Sequence, residues 1–396
     1  MVSPQDRRAG KWPKTIGYFT AVATFGAIGA AWGPALPGLA AQTQSNLSQI
    51  SVIFTASGLG FILGSSFGGR IYDRISGHPL MSGSLLIMSV IIALVPSITE
   101  LWLLTLMILI LGIAIGLMVV GANTLLVWVH RENVGPWMNA LTLFNGFGAL
   151  LSPIIITYVL TATGEFNRAF WILALFIFLP MGWLFFVRSP SVRKPASDDP
   201  SGHINHRLVI PVMFVFFLYL GSEMSFHSWF YSMMVTVHEG IEVTAGYMTS
   251  AFWGAVSIGR LFSIVLITRQ SPRKLLFASF VSGLISIGII LIGYRFIPML
   301  WIGVIGIGLS FSSIFPILLT FVEKRIMISG KISGLLFSAG SFGGMIFPWV
   351  GGQLFAILDP RAPMFVVLVG LLLAALIFLW ITIRFQPSDE AVKQNI

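Results

Sequence analysis

Long apolar runs separated by short polar breaks repeat along the whole chain. A helix needs about 20 predominantly apolar residues to cross the hydrocarbon core of a bilayer. Twelve runs are near that length, so the pattern predicts an all-α membrane protein with twelve transmembrane helices. The predicted spans are residues 15–41, 48–70, 80–97, 101–129, 136–162, 168–187, 208–236, 244–267, 274–293, 297–321, 332–357 and 363–384.

Composition agrees with this pattern. The 396 residues are 56% hydrophobic and 9% charged, whereas about 25% of the residues of a soluble domain are charged. Cysteine is absent, which excludes disulfides, thiolate metal ligands and cysteine nucleophiles. The sequence contains no Walker motif, no HExxH motif and no histidine cluster. We therefore expect no ATP hydrolysis, no metal and no cofactor other than a coupling ion.

Lysine and arginine concentrate in alternate connections between the spans. By the positive-inside rule, this places both termini in the cytoplasm, and an even number of spans agrees. The net charge of +9 is then explained without a nucleic-acid partner. The first residues, MVSPQDRRAGKWPK, are polar and precede a long apolar run, so we expect no cleavable signal peptide. The predicted location is the cell inner membrane.

The chain also repeats internally. Residues 189–207, SPSVRKPASDDPSGHINHR, are the longest polar segment and predict a cytoplasmic linker between six-helix bundles at 1–188 and 208–396. When the chain is shifted by 195 residues, glycines, a phenylalanine and a proline of the two halves coincide. The coinciding pairs are Gly135 with Gly330, Phe147 with Phe342, Gly148 with Gly343, Pro153 with Pro348 and Gly64 with Gly259. Two homologous bundles are typical of secondary transporters, although each glycine alone is also explained by helix packing.

The stretch GGRIYDRISGHPL, residues 68–80, resembles the loop signature of the major facilitator superfamily. Gly69, Asp73 and Arg74 match that signature, but the stretch is one residue longer and ends in His78 where arginine is usual. The resemblance implies that Asp73 caps a helix of the other bundle and closes the cytoplasmic side. A carboxylate is favourable at a helix N-terminus. The alternative is a solvated basic loop.

Four further stretches are similar to the branch of this superfamily that contains fucose permease and the sodium-dependent glucose transporter type. They are WGPALPGLAAQ (32–42), GANTLLVW (121–128), NALTLFNGFGALLSP (139–153) and YLGSEMSFHSWFYS (219–232). The resemblance implies a central sugar-binding cavity lined by Trp32, Asn123, Asn145, Glu223 and Trp229. Val119 and Thr142 stand where relatives often carry an acidic residue and a histidine, which puts proton coupling in the first bundle in doubt.

Glu223 is the only strongly ionisable residue between Leu208 and Val237, and His227 lies one helical turn away. An unpaired carboxylate near the bilayer midplane costs roughly 3 kcal/mol or more, so Glu223 should face a wet interior. A substrate or cation ligand, an interhelical hydrogen-bonding group and a misplaced span boundary are all open interpretations. Arg260, within span eight, should pair or extend its charge to the membrane surface.

The remaining candidates have two interpretations each. Asn123 and Asn145 fit either helix–helix bonding or ligand binding. Trp32, Trp229, Phe252 and Trp253 fit either packing or a platform for a sugar ring. A histidine such as His227 is usually a packing residue, and its interest comes from sharing a helix face with Glu223.

Together these features predict a monomeric secondary transporter rather than an enzyme. It would move a small neutral polar solute, a hexose or glycoside, by alternating access with proton or sodium coupling through Glu223 and His227. Two alternatives stay open: an exporter of amphipathic compounds, and a sensor that binds a solute without moving it.

Overall fold

A computed structural model describes residues 10–131, 134–190, 206–323 and 330–384. Within these ranges the chain is helical and contains no strand. Twelve helices are long and apolar enough to cross a membrane, which confirms the predicted number of spans. The helices are α1 (Trp12–Gln42), α2 (Val52–Tyr72), α3 (Gly77–Leu94), α4 (Leu101–His130), α5 (Val134–Thr163), α6 (Phe166–Phe186), α7 (His206–Val237), α8 (Glu242–Arg269), α9 (Pro272–Ile292), α10 (Ile297–Glu323), α11 (Gly330–Ile357) and α12 (Ala362–Arg384).

The helices carry apolar side chains on their outer faces as well as their inner faces. On α6, for example, Leu175 and Leu179 are 60% and 63% exposed. Such faces suit hydrocarbon, where a helix is stable because its backbone hydrogen bonds are satisfied within the segment. The described helices therefore belong to an integral membrane protein.

Capping residues and glycines define several helix ends. Asn46 and Gln49 form a reciprocal capping box on the short helix Leu47–Ile50, which precedes α2. The side chain of Ser271 accepts the backbone N–H of Lys274 at the start of α9. Gly164 follows α5 and has a φ of +68°, a conformation that L side chains rarely adopt and that commonly ends helices.

The helices pack into two compact units. The first contains the described parts of Met1–Ala196 with His227–Gly254 and Gly352–Pro360, and the second contains those of Ser197–Phe226, Ala255–Gly351 and Arg361–Ile396. The unit boundaries pass through α7, α8 and α11. The division into residues 1–188, 189–207 and 208–396 stays a prediction, and most of that linker lies outside the described residues.

The internal repeat recurs in the helix contacts. In the first unit, a Cβ atom at Gly148 of α5 would collide with the backbone carbonyl of Ala23 in α1. In the second unit, a Cβ atom at Gly343 of α11 would collide with the carbonyl of Phe217 in α7. The fifth helix of each half thus lies against its first helix at the glycine that the repeat aligns. The second and fourth helices behave alike, through Gly64 against Ile113 and Gly259 against Ser312.

Candidate functional site

Glu223 is buried inside a membrane span. It lies on the continuous helix α7, within the span Arg207–Val237, and is 3% exposed, so the hypothesis of a misplaced span boundary is wrong. The hydroxyl of Tyr219, one turn earlier on α7, is close enough to interact with the carboxyl group. The positive charge of Arg260 on α8 also acts on it. The expectation that Arg260 pairs or extends its charge to the membrane surface stays a prediction.

The hydroxyl of Tyr219 links this carboxyl group to a second helix. Tyr219 is 1% exposed, and its hydroxyl donates to the backbone carbonyl of Phe311 in α10 over 3.1 Å. A tyrosine hydroxyl has a single proton to donate. While that proton is donated to the Phe311 carbonyl, the Tyr219 hydroxyl can only accept, so a hydrogen bond with Glu223 would require a proton on the carboxyl group. In the structure this proton is donated to Phe311 of α10, so Tyr219 joins α7 to α10 beside the buried carboxyl group.

His227 follows Glu223 by one turn on α7 and belongs to the first unit. Its side chain is 4% exposed, and its ring centroid lies 5.1 Å from that of Trp253 on α8. Its backbone carbonyl oxygen lies 2.7 Å from the place where a Cβ atom on Gly33 of α1 would stand. Helices α1, α7 and α8 therefore pack closely around His227.

The tryptophan candidates are enclosed by other side chains. Trp229 is 0% exposed, and its ring centroid lies 6.1 Å from that of Phe54 and 5.3 Å from that of Phe355. Trp32 and Trp253 are also buried. These contacts fit the packing interpretation, and the role of these rings as a sugar platform stays a prediction.

The two asparagines differ in their surroundings. The side-chain amide of Asn123 donates to the carbonyl of Val119 on its own helix over 2.8 Å. The backbone of Asn145 lies against Gly26 of α1. The side-chain oxygen of Asn145 is buried and has no hydrogen-bond partner among the described residues. Of the two, only Asn145 has a buried side-chain oxygen that no described group satisfies, and this oxygen lies against Gly26 of α1.

The loop signature lies at the end of α2. Asp73 directly follows the last helical residue and is half-buried, and Arg74 is exposed. A Cβ atom at Gly69 would meet open space. No observed contact tests the latch role of Gly69, Asp73 and Arg74, which stays a prediction.

His78, where the loop departs from the family signature, joins three segments. It is buried, and its Nε2 lies 2.8 Å from the hydroxyl oxygen of Tyr18 in α1. Its Nδ1 lies 2.7 Å from the backbone carbonyl oxygen of Val187, just after α6. A carbonyl oxygen only accepts, so Nδ1 carries a hydrogen and Nε2 of the neutral ring accepts from Tyr18. His78 therefore ties the start of α3 to α1 and α6.

Two groups of residues escaped prediction from the sequence. Tyr219 and Phe311 are 92 residues apart, and nothing in either local pattern connects them. Gln353, near the end of α11, hydrogen-bonds to Ser48 and Ser51 next to α2, with a distance of 2.6 Å between Gln353 Oε1 and Ser48 Oγ. In the sequence these are ordinary polar residues near the ends of spans, and only the fold brings them together.

Twelve candidate spans among the described residues, one of which holds a buried carboxyl group, are features of a membrane transport protein. The family model of the Major Facilitator Superfamily matches residues 16–348. The chain belongs to this superfamily. It is a membrane transporter that lies in a lipid bilayer and moves a small-molecule substrate.

Named relatives are similar over most of the chain, and solved structures share its fold. Sodium-dependent glucose transporter 1 of Xenopus laevis is 26% identical, with 81% of this chain and 72% of the relative covered. Major facilitator superfamily domain-containing protein 4A of Danio rerio is 26% identical, with 97% and 90% covered. The crystal structure of the nucleoside transporter NupG superposes with a TM-score of 0.72 at 14% identity, with 96% of this chain and 100% of that chain covered. This likeness confirms the fold.

Proposed function

We propose that this protein is a secondary active transporter of a hexose or a glycoside, driven by protons or sodium ions through Glu223. The observation that carries the proposal is the carboxyl group of Glu223, buried within a span beside Tyr219 and Arg260. Ionisable groups inside membrane spans are costly and commonly mark ion or substrate pathways. Relatives named as sodium-dependent glucose transporters support both the solute and a coupling ion.

Asn145 supports the proposal that the solute is polar. Buried acceptors without a donor are uncommon and costly, and the side-chain oxygen of Asn145 is one. A sugar hydroxyl can donate to it, and other hydroxyls of the same sugar can accept. An amphipathic compound without donors would leave this oxygen unsatisfied, so Asn145 favours a carbohydrate.

The coupling step follows from the single proton of Tyr219. When Glu223 is protonated, it can donate to Tyr219 while Tyr219 donates to the carbonyl of Phe311, and α7 and α10 are joined. When Glu223 is ionised, the Tyr219 proton is drawn to the carboxylate and the bond to Phe311 is lost. A proton arriving at or leaving Glu223 would thus make or break a link between two helices. A sodium ion bound to the carboxylate would compete with the Tyr219 hydroxyl for the carboxylate oxygens.

The topology completes the proposal. Under this proposal the protein is a monomer in the cell inner membrane, and both of its termini lie in the cytoplasm. His227, one turn from Glu223 on α7, serves in the same coupling region, and Gly69, Asp73 and Arg74 form the cytoplasmic latch.

Transport by purified protein in liposomes tests the role of Glu223. We expect Glu223→Gln to abolish accumulation of labelled hexose driven by a proton or sodium gradient, because the amide cannot bind and release the ion. Exchange of labelled for unlabelled sugar at equal concentrations should persist, since it needs no net ion movement. Tyr219→Phe, which keeps the ring but removes the hydroxyl, should change the dependence of accumulation on pH while Glu223 is intact.

Glu242→Gln is the matched control, because Glu242 is an exposed carboxylate in the first turn of α8. It should leave both assays at wild-type values. Unchanged gradient-driven accumulation in Glu223→Gln would refute the coupling role. Failure of the wild-type protein to exchange any sugar, with efflux of amphipathic compounds instead, would favour the exporter.

A further inference from the structure

A groove opens between the ends of α9 and α12 in the second unit. Its volume is about 530 Å³, within the range of small-molecule sites. It is distant in sequence from Glu223 and Asn145, and the proposed transport function makes no use of it. The residues that matter for its chemistry are Arg273, Lys274, Phe277, Phe378, Leu379 and Thr382.

The inner part of the groove is apolar. Phe378 is buried and packs against Phe280, with a distance of 5.9 Å between the ring centroids. Phe277 and Leu379 line the groove from the two helices and are 49% and 39% exposed. The groove therefore presents apolar side chains that continue onto the outer surface of the helices.

The rim of the groove is cationic. Arg273 and Lys274 lie in the first turn of α9, are exposed, and form no ion pair with a described residue. The sequence contains no aspartate or glutamate from 268 to 287 or from 363 to 387. The positive end of the α9 dipole adds to the same potential. Nothing in these two helices neutralises the rim, which is thus complementary to an anion.

The groove lies at the level where two spans meet the membrane surface. The candidate span of α9 begins at Pro272 and that of α12 ends at Arg384. The guanidinium carbon of Arg384 lies 5.9 Å from the ring centroid of Trp380, and tryptophan and arginine are typical of membrane–water interfaces. The cations are therefore at the height of lipid headgroups, and the apolar walls are at the height of acyl chains.

We propose that this groove binds an anionic phospholipid. The lipid phosphate would lie against Arg273 and Lys274, and an acyl chain would follow Phe277 and Leu379 into the bilayer. Basic pockets between membrane helices bind anionic headgroups in this way. A water-soluble phosphate would use the cations but would gain nothing from the apolar walls, so a lipid satisfies both parts of the groove.

Lipid binding to delipidated full-length protein tests the proposal. Native mass spectrometry in a non-ionic detergent would compare phosphatidylglycerol, phosphatidylcholine and glycerol 3-phosphate. We expect Arg273→Gln with Lys274→Gln to weaken phosphatidylglycerol binding about 25-fold, about fivefold for each cation, without changing phosphatidylcholine binding. Phe277→Ala should weaken phosphatidylglycerol binding about fivefold through the lost apolar contact. All three side chains are exposed, so the variants should fold.

Lys11→Gln with Arg207→Gln is the matched control, because it removes the same charge from exposed positions outside the groove. It should bind phosphatidylglycerol like the wild type. Equal weakening in this control would mean that net charge, rather than the groove, holds the lipid, and would overturn the proposal. Equal affinity for glycerol 3-phosphate, or wild-type binding by the Arg273→Gln and Lys274→Gln protein, would overturn it too.

Discussion

At the scale of single residues, close helix approach depends on the absence of a side chain at particular glycines. Gly33 faces the backbone carbonyl of His227, which cannot move aside without displacing α7, whereas Gly29, one turn earlier on α1, faces open space. The two glycines are indistinguishable in the sequence. Their difference arises from the neighbouring helix, and it allows a matched comparison.

We expect Gly33→Val to destabilise the protein by about 1–3 kcal/mol, the usual cost of overpacking a close contact. Its Cβ atom alone would stand 2.7 Å from the His227 carbonyl oxygen. Thermal unfolding in detergent, followed by circular dichroism, would measure the change. Gly29→Val is the control and should unfold much closer to the wild type. Equal stability of the two variants would contradict the close contact.

At the scale of elements, polar contacts near the ends of spans join helices that are far apart in the chain. Gln353 of α11 contacts Ser48 and Ser51 through its side-chain oxygen and nitrogen. Next to this contact, a Cβ atom on Gly352 would lie against Ser51 and the ring of Trp229. Hydrogen bonds and close glycine packing together hold these ends, so loss of the hydrogen bonds should loosen them.

The absence of cysteine from the chain allows a direct test of this contact. A single reporter, Ile53→Cys, places a thiol at a position that is 1% exposed. Adding Gln353→Ala should raise its rate of labelling by a maleimide about a hundredfold, since three hydrogen bonds of about 1 kcal/mol each are lost. Gln270→Ala, which removes an exposed glutamine directly after α8 and outside this contact, should leave the labelling rate unchanged. A rate that is insensitive to Gln353→Ala would show that the hydrogen bonds do not hold these ends together.

At the scale of the whole molecule, the repeat governs which helices meet. Gly148 and Gly343 are 195 residues apart, and each brings the fifth helix of its half against the first. Such a duplicated arrangement is used by transporters that move one bundle against the other around a midplane site. A ligand that binds such a site should stabilise the whole fold.

We therefore expect hexoses or glycosides to raise the thermal unfolding midpoint of the purified protein. Saturation at about 100 times the dissociation constant contributes about 2.7 kcal/mol of stability. A screen of monosaccharides, glycosides and amphipathic compounds, with and without sodium and at several pH values, would identify the solute and the ion. If no carbohydrate raises the unfolding midpoint while amphipathic compounds do, the proposed substrate class is contradicted.

The sequence by itself determined the twelve spans. The length of an apolar run and the spacing of polar breaks are local properties, and they decide whether a helix can cross the hydrocarbon core. It also determined that Glu223 must be buried, since the surrounding apolar residues leave it no polar surface. The tertiary structure decided the partners, such as Tyr219 with Phe311 and Gln353 with Ser48. These contacts depend on which helices become neighbours, and local hydrophobicity carries no information about that choice.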